Sequence, residues 1–269
     1  MMQLQVKPIV FVCFYVLLLG CRSERTSPSG ATSDNGVKPI ITVSAAASTA
    51  ECLRALANQY ERRASVLVKI NAGATSSLAN QVIAGSPAHL FLSASVPWAN
   101  AVDKEGLCRN RVDLMGNRLV LVVPKENPGD VHRPADLLKN SVRKVALAGE
   151  NVPAGMYADQ VFAKLHLGQP LAESKKIVRG QDVTTALRYV EQGEADAALV
   201  YASDVTHRSH VMSVYEFEAE LHDPIVYVLM ELKTDSANEA AHRFYEFLQS
   251  EDAKEVYGRF GFLKFDTPQ

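Results

Sequence analysis

The sequence predicts an α/β fold with mostly parallel sheets flanked by helices, from two observations. Apolar, β-branched runs alternate with amphipathic helical segments along the chain. Small or helix-capping residues also occur at four positions where a predicted strand is followed by a predicted helix. With 269 residues, 47% of them hydrophobic, the chain can fill the core of one large domain or of two domains of ordinary size.

The elements follow in order along the chain. Runs rich in Val, Ile and Leu predict strands, and apolar residues at helical spacing predict helices. Gly106 and Pro124 are stop signals for the elements that precede them. The first half is predicted as strand 40–43, helix 49–63, strand 66–70, helix 76–84, strand 90–92, helix 99–105 and strand 118–123. The second half is predicted as helix 134–139, strand 144–147, helix 156–165, strand 176–178, helix 183–192, strand 197–201, an apolar run 225–230, and helices 237–249 and 251–260.

The N-terminus has the features of an export signal. An apolar run from Pro8 to Gly20 follows Lys7 and is too short to span a bilayer as a mature helix. It ends in Leu-Leu-Gly-Cys and resembles a bacterial lipoprotein signal, 1–21, with Cys21 as the acylated residue. An ordinary secretory signal is the alternative. The polar stretch 22–36 is predicted to be a flexible tether that leaves the folded part near a membrane.

Charge and cysteine usage exclude some classes of function. The formal net charge is -2 and Lys and Arg do not cluster, so a nucleic-acid partner is not expected. Cys52 and Cys108 show no zinc or redox spacing. In an oxidising compartment they either pair or remain buried thiols, and sequence alone leaves both possibilities open.

Four strand-to-helix junctions share a composition that is typical of anion sites. In open α/β sheets such junctions meet at the carboxyl ends of strands, where backbone N–H groups of several helices can converge on one ligand. Each junction alone is equally compatible with an ordinary helix N-cap, but four together favour an anion site. The junctions are 48–49, 73–77, 152–155 and 180–184.

A family resemblance rests on five segments that occur in a fixed order. The most specific is Val-Pro-Ala-Gly-Met-Tyr-Ala at 152–158. With Ala-Ala-Ala-Ser at 45–48, Pro-Ala-His-Leu-Phe-Leu-Ser-Ala at 87–94, Gly-Gln-Asp-Val at 180–183 and Leu-Val-Tyr-Ala-Ser-Asp at 199–204, it resembles the periplasmic molybdate-binding proteins of bacterial ABC transporters. The match extends over essentially all of 37–264.

The resemblance implies a two-lobe type II periplasmic-binding fold with an oxyanion held between the lobes. Lobe I would comprise 37–120 and 226–269 and lobe II 121–225, with crossover strands at 118–124 and 224–230. The chain would be a monomeric, membrane-anchored lipoprotein of the periplasm or cell envelope that delivers molybdate or tungstate to an ABC permease. No cofactor and no catalytic residue are implied.

The implied ligand contacts are hydroxyls and backbone amides that touch the oxyanion without ligating its metal atom directly. Thr75 stands where the family usually has Ser, a change that keeps both a hydroxyl and an amide. The contacts are Ser48, Thr75, Ala154, Val183 and Tyr201.

This donor set suits a fully ionised tetrahedral oxyanion, which offers only acceptor oxygens. No Arg or Lys is among the implied contacts, so helix N-termini would supply the compensating charge. A receptor for sulfate or another oxyanion is the alternative within the same class. An extracytoplasmic hydrolase is the alternative outside it, although the sequence lacks a Gly-x-Ser-x-Gly nucleophile motif.

Overall fold

The computed structural model of this protein describes residues 38–234 and 238–264. The predicted signal, its acylated Cys21 and the tether 22–36 lie outside the described residues. Within the described ranges no helix combines the length and the apolar character that a bilayer crossing requires.

Strands and helices largely alternate along the described chain, except that two strands follow one another at 108–124 and two helices at 153–173 and at 239–259. Short 3-10 helices occupy Ala47–Thr49, Pro134–Leu138 and Ala219–Leu221. The strands are β1 (Ile40–Ala46), β2 (Leu67–Gly73), β3 (Leu90–Ser93), β4 (Cys108–Gly116), β5 (Leu119–Pro124), β6 (Val145–Ala148), β7 (Ile177–Gly180), β8 (Ala197–Tyr201), β9 (Val211–Glu216), β10 (Val226–Leu232) and β11 (Leu263–Lys264). The helices are α1 (Ala50–Glu61), α2 (Thr75–Ile83), α3 (Val96–Lys104), α4 (Pro153–Lys164), α5 (Gly168–Glu173), α6 (Val183–Glu191), α7 (Ala202–Val205), α8 (Glu239–Phe247) and α9 (Glu251–Arg259).

Two sheets flanked by helices organise the chain, as the α/β prediction required. The first sheet has the order β11-β4-β10-β3-β1-β2 and the second the order β7-β6-β8-β5-β9. The expectation of mostly parallel sheets is wrong in one respect, because both sheets are mixed. Strands β1, β2 and β3 pair in parallel, as do β6, β7 and β8, whereas every pair that involves β4, β5, β9, β10 or β11 is antiparallel.

The chain passes from one sheet to the other close to the predicted crossovers. Strand β4 ends in the first sheet at Gly116, and β5 begins in the second sheet at Leu119. The return takes place between Glu216 and Val226. The predicted crossover segments 118–124 and 224–230 are therefore mainly β5 and β10, each within a single sheet, and the actual changes of sheet immediately precede them. The predicted lobe boundaries stay a prediction.

The core explains why the central strands were recognisable in the sequence. Strands β5, β8 and β10 are buried along nearly their full length, since helices or the other strands cover both faces. Phe244 and Leu248 are fully buried in the same large cluster that holds β1 and β8. Trp98 packs, partly buried, against a second cluster around Phe91 and Met230.

The two cysteines of the described chain are both free thiols. Cys52 is buried in α1, and burial raises the pKa of its thiol to about 12. Burial also raises the pKa of Cys108. Both thiols therefore stay protonated and weakly nucleophilic near neutral pH.

Candidate functional site

The structure brings the five predicted contact residues together around one cavity. This central cavity is small, with a void of about 210 Å³ that includes solvent space at its open mouth. Its lining includes Ser48, Thr75, Ala154, Val183 and Tyr201 together with Ala46, Ala47, Gly73, Ala74, Ala94, Val152, Pro153 and Asp182.

Parallel pairing places Ser48 and Thr75 side by side. In the first sheet Ala46 of β1 lies opposite Gly73 of β2. Two residues beyond each of these lie Ser48, inside the 3-10 helix, and Thr75, the first residue of α2. Two hydroxyls thus reach the cavity from adjacent strand ends.

The second sheet supplies the two backbone amides by the same construction. Ala148 of β6 lies opposite Gly180 of β7, and helices α4 and α6 begin shortly after these positions. Ala154 and Val183 lie in the first turns of these helices, where N–H groups have no acceptor within the helix. The positive ends of two helices are therefore directed at the cavity.

Side-chain capping is missing from three of the four helical turns at the cavity. The N-cap residues Ala46, Ala74 and Val152 have no side chain that can accept a hydrogen bond. Only Asp182 caps its helix, and its carboxylate accepts from the Thr185 N–H and hydroxyl at 2.8 Å each. The ordinary N-cap interpretation therefore holds for α6 alone, and the remaining first-turn amides stay open to a ligand.

Tyr201 carries an unsatisfied donor at the cavity. Its side chain is 1% exposed, and its hydroxyl is buried without a hydrogen-bond partner among the described residues. Burial, together with the nearby Tyr227, raises the pKa of Tyr201 well above its usual value, so the phenol keeps its proton. A buried donor without an acceptor costs about 1 to 3 kcal/mol, which a bound acceptor would recover.

Thr75 is also prepared to donate. The Ala94 N–H donates to Thr75 Oγ1 at 3.3 Å, so one lone pair of the hydroxyl is already occupied. Thr75 is 2% exposed. Its own proton is therefore free for an acceptor in the cavity, as the prediction for this residue requires.

Cationic side chains are not part of the central cavity's lining in the described chain. Arg179, which is close in sequence to the fourth junction, is directed elsewhere. Its guanidinium donates to the Ala148 carbonyl at 3.0 Å and to the Asp159 carboxylate at 2.6 Å. Any anion held here is therefore compensated by N–H and O–H dipoles rather than by a salt bridge.

A second, polar cavity adjoins the first and shares Ser48 and Asp182 with it. It is lined by acidic groups and by arginines, among them Asp204 and Arg208. Burial raises the pKa of Asp204 to about 7, and its carboxylate accepts from the Tyr201 N–H at 3.0 Å. This hydrogen bond holds the end of β8, and with it the Tyr201 ring, in place.

The sequence prediction missed Asn117 and Tyr227. The Tyr227 hydroxyl lies 2.9 Å from Ser48 Oγ, and the Asn117 side-chain amide donates to the Tyr227 oxygen at 3.3 Å. Tyr227 belongs to the apolar run 225–230, which was predicted only as a strand. The one available signal was a polar hydroxyl inside an otherwise apolar stretch.

Glycine at position 155 is required by close packing. A Cβ atom there would lie 2.2 Å from the Gly149 carbonyl oxygen and 2.6 Å from that of Ala148. The first turn of α4 consequently presses directly on the end of β6. This contact fixes the position of the Ala154 amide and gives a structural reason for the Gly in the Val-Pro-Ala-Gly segment.

Comparison with known proteins gives one family over almost the whole described chain. Residues 41–263 match the model of a family described as bacterial extracellular solute-binding protein. The fold is also that of the Azotobacter vinelandii periplasmic molybdate-binding protein. That structure superposes with a TM-score of 0.75 at 21% identity, covering 85% of this chain and 100% of that one.

Two relatives are more similar in sequence. A Bacillus subtilis protein named as an ABC transporter substrate-binding lipoprotein, YvgL, is 35% identical over 252 residues, which are 92% of this chain and 94% of the relative. The molybdate-binding protein ModA of Escherichia coli is 34% identical over 229 residues, 82% of this chain and 88% of the relative. The predicted resemblance and the two-sheet fold are thereby confirmed.

Proposed function

This chain belongs to the bacterial extracellular solute-binding protein family, and from that premise we propose that it captures molybdate or tungstate in the central cavity. The observation that carries the proposal is the buried hydroxyl of Tyr201. It has no hydrogen-bond partner in the described part of the chain, and it lines one small void together with two more hydroxyl-bearing residues and open helix ends. Relatives named for molybdate binding, at about a third identity, support the same ligand class.

The chemistry of the lining matches a fully ionised oxyanion. Such an ion needs donors at its oxygens and few facing lone pairs. Asp182, whose carboxylate lies among the lining residues, has one oxygen occupied by the Thr185 N–H and hydroxyl. Ser48, Thr75 and Tyr201 offer hydroxyl protons, and the first turns of α4 and α6 offer amide protons. Each charge-assisted bond contributes about 1.5 to 3 kcal/mol, so five such bonds can offset the dehydration of the dianion and leave tight binding.

Discrimination against phosphate follows from the same donors. Hydrogen phosphate carries a proton that needs an acceptor, and an unpaired proton in a buried site costs about 1 to 3 kcal/mol. Sulfate carries no proton but has shorter bonds to its oxygens, so it would not reach every donor of a cavity sized for a metal oxyanion. Molybdate and tungstate are nearly equal in size and should both bind.

Delivery completes the proposed role. An anion that bridges helix ends from both sheets would favour a closed arrangement, and the closed form would be the one that an ABC permease recognises. Acylation at Cys21 would keep the receptor at the membrane of the cell envelope. The family and the named relatives are solute-binding proteins, and we propose that this chain, a monomer without a cofactor, has no catalytic activity.

The test is a calorimetric titration of the chain from Val37 onward with four anions. We expect molybdate and tungstate to bind at least tenfold more tightly than sulfate, and sulfate more tightly than phosphate. If sulfate bound most tightly of the four anions, the protein would be assigned as a sulfate receptor instead. Failure of all four anions to bind, or turnover of ester substrates, would contradict the proposal.

Replacing Val183 by Pro removes one amide donor while retaining the helix. Proline is well tolerated at the first helical position, and Asp182 before it is already extended, with φ -152° and ψ 178°. We expect molybdate affinity to fall roughly tenfold, about 1.5 kcal/mol for one bond to a charged ligand. Because Val183 is buried in the core, the thermal midpoint of the unliganded protein should fall by about as much as in Val183→Ala.

The matched control is Val183→Ala, which shortens the side chain and retains the N–H group. Its molybdate affinity should stay within about twofold of the wild type, because the proposed contact is made by the main chain. Equal losses in the two variants would assign the effect to the side chain and remove the Val183 amide from the site.

A further inference from the structure

A chain of hydrogen bonds leads from the connection between the sheets to Ser48. The Arg118 N–H donates to Asn117 Oδ1 at 2.9 Å. The Asn117 Nδ2 group donates to Ser203 Oγ at 2.8 Å and to the Tyr227 hydroxyl oxygen at 3.3 Å. The Tyr227 hydroxyl in turn lies 2.9 Å from Ser48 Oγ.

The direction of every bond in this chain follows from its first member. Because a backbone N–H can only donate, the Asn117 atom that faces Arg118 must be the carbonyl oxygen. The other end of the Asn117 side chain is then an NH₂ group, which has no lone pair to offer. The Tyr227 oxygen must therefore accept from it. A buried O–H group needs an acceptor of its own, and Ser48 Oγ lies 2.9 Å away, so the Tyr227 proton is directed at Ser48.

We propose that Asn117 and Tyr227 are positioning residues that make Ser48 a donor toward the cavity and thereby select oxyanions without a proton. Ser48 Oγ accepts from Tyr227, so its single proton is free for the ligand. The lone pair of Ser48 Oγ that accepts from Tyr227 is then unavailable to a protonated oxygen of the ligand. The inference rests on the proposed function, because it assigns a selectivity device to the same site.

The surroundings keep this arrangement in place. Tyr227 is 0% exposed and Asn117 is 6% exposed, so water does not compete for their hydrogen bonds. The Tyr227 ring packs edge-on against the rings of Tyr201 and Phe262, with centroids 6.0 and 5.3 Å away. Burial raises the pKa of Tyr227 well above its usual value, so its proton is retained. The series of hydrogen bonds from Arg118 to Ser48 therefore keeps one donor-to-acceptor direction.

Reversing that polarity is the sharpest test. Asn117→Asp replaces the NH₂ donor by a carboxylate oxygen of nearly the same shape, so that Tyr227 would donate to the side chain at position 117. Ser48 would then donate to Tyr227 and turn a lone pair toward the ligand. Sulfate and hydrogen phosphate at about pH 8 both carry nearly two negative charges and differ chiefly in one proton. The negative charge that Asn117→Asp adds therefore weakens the binding of both anions by a similar factor and leaves the ratio of their affinities unchanged.

We expect Asn117→Asp to lower the sulfate-to-phosphate affinity ratio at least tenfold, measured by displacement of bound molybdate or, where molybdate binding is too weak, by direct titration. Molybdate affinity itself should fall by a similar factor or more. Equal weakening of sulfate and phosphate would mean that Asn117 has only a structural role and would overturn the inference. Failure of the wild type to bind any oxyanion would instead overturn the proposed function.

Tyr227→Phe is an independent test that does not depend on whether Asn117→Asp folds. It removes the hydroxyl that fixes Ser48, so we expect molybdate affinity to fall about threefold to tenfold and the sulfate-to-phosphate ratio to fall in the same direction. Tyr157→Phe is the matched control. Tyr157 is another buried tyrosine of the same aromatic group, with its ring centroid 6.5 Å from that of Tyr201, and it is not part of the central cavity's lining. An unchanged ratio in Tyr227→Phe would contradict the proposal.

Discussion

Gly155→Ala is expected to lower both the stability of the protein and its affinity for molybdate. The new methyl group would meet the carbonyl oxygens of Gly149 and Ala148 at 2.2 and 2.6 Å, distances that backbone atoms cannot accommodate without moving. Helix α4 must shift away from β6, which costs about 3 kcal/mol by comparison with overpacked cores and lowers the thermal midpoint by roughly 6 to 12 °C. The Ala154 amide moves with the helix, so affinity should fall at least tenfold.

Gly258→Ala serves as the control for this change. Gly258 lies inside α9, and a Cβ atom there would meet nothing within 4 Å. Alanine is the better helix former by up to about 1 kcal/mol, so this variant should be slightly more stable than the wild type and should bind molybdate equally well. Thermal unfolding and calorimetry measure both quantities. A wild-type melting temperature for Gly155→Ala would show that α4 does not press on β6 as described.

Tyr201→Phe is expected to weaken molybdate binding while leaving the unliganded protein as stable as the wild type. Its hydroxyl has no partner among the described residues, so no protein hydrogen bond is lost on substitution. Removal of a buried, unpaired polar group can even be slightly stabilising. In the complex the same change removes one bond to a dianion, worth about 1 to 3 kcal/mol, or roughly fivefold to 150-fold in affinity.

The combination of the two readouts is what makes this variant informative. If Tyr201 served only in packing, Tyr201→Phe would change neither the molybdate affinity nor the melting temperature by much. If its hydroxyl stabilised the fold, the substitution would lower the melting temperature. Calorimetric titration and thermal unfolding of the same sample distinguish these cases. Unchanged affinity for Tyr201→Phe would remove this hydroxyl from the binding site and, with it, the main support for the proposed ligand.

Most of the framework was predictable because local sequence signals agree with the final structure. Strand β8 was predicted at its exact bounds, since a wholly buried apolar run precedes Tyr201. Strands β4 and β9 were missed. The first six residues of Cys108–Gly116 include four charged or amide side chains and are largely exposed, and the short strand Val211–Glu216 lies at a sheet edge with three of its six residues exposed. Their partners come from distant parts of the chain, which a local pattern cannot reveal.

The site shows the same division between local and long-range information. Junctions of small residues after strands indicated the segments 48–49, 73–77 and 152–155, and the family resemblance implied Ser48, Thr75 and Ala154 within them. Asn117 and Tyr227 are 110 residues apart, and Tyr227 and Ser48 are 179 apart. Their meeting depends on how β10 is inserted beside β3 and β4, and that topology was not predicted in detail.

The bare helix ends around the cavity have a consequence for the lifetime of the protein. A side-chain cap typically stabilises a helix by about 0.5 to 2 kcal/mol, and three turns here forgo it at Ala46, Ala74 and Val152. A captured dianion would act as a shared cap and restore that stability to both sheets at once. Receptors that carry cargo would therefore resist proteolysis better than vacant ones, and their lifetime would follow the supply of the ion.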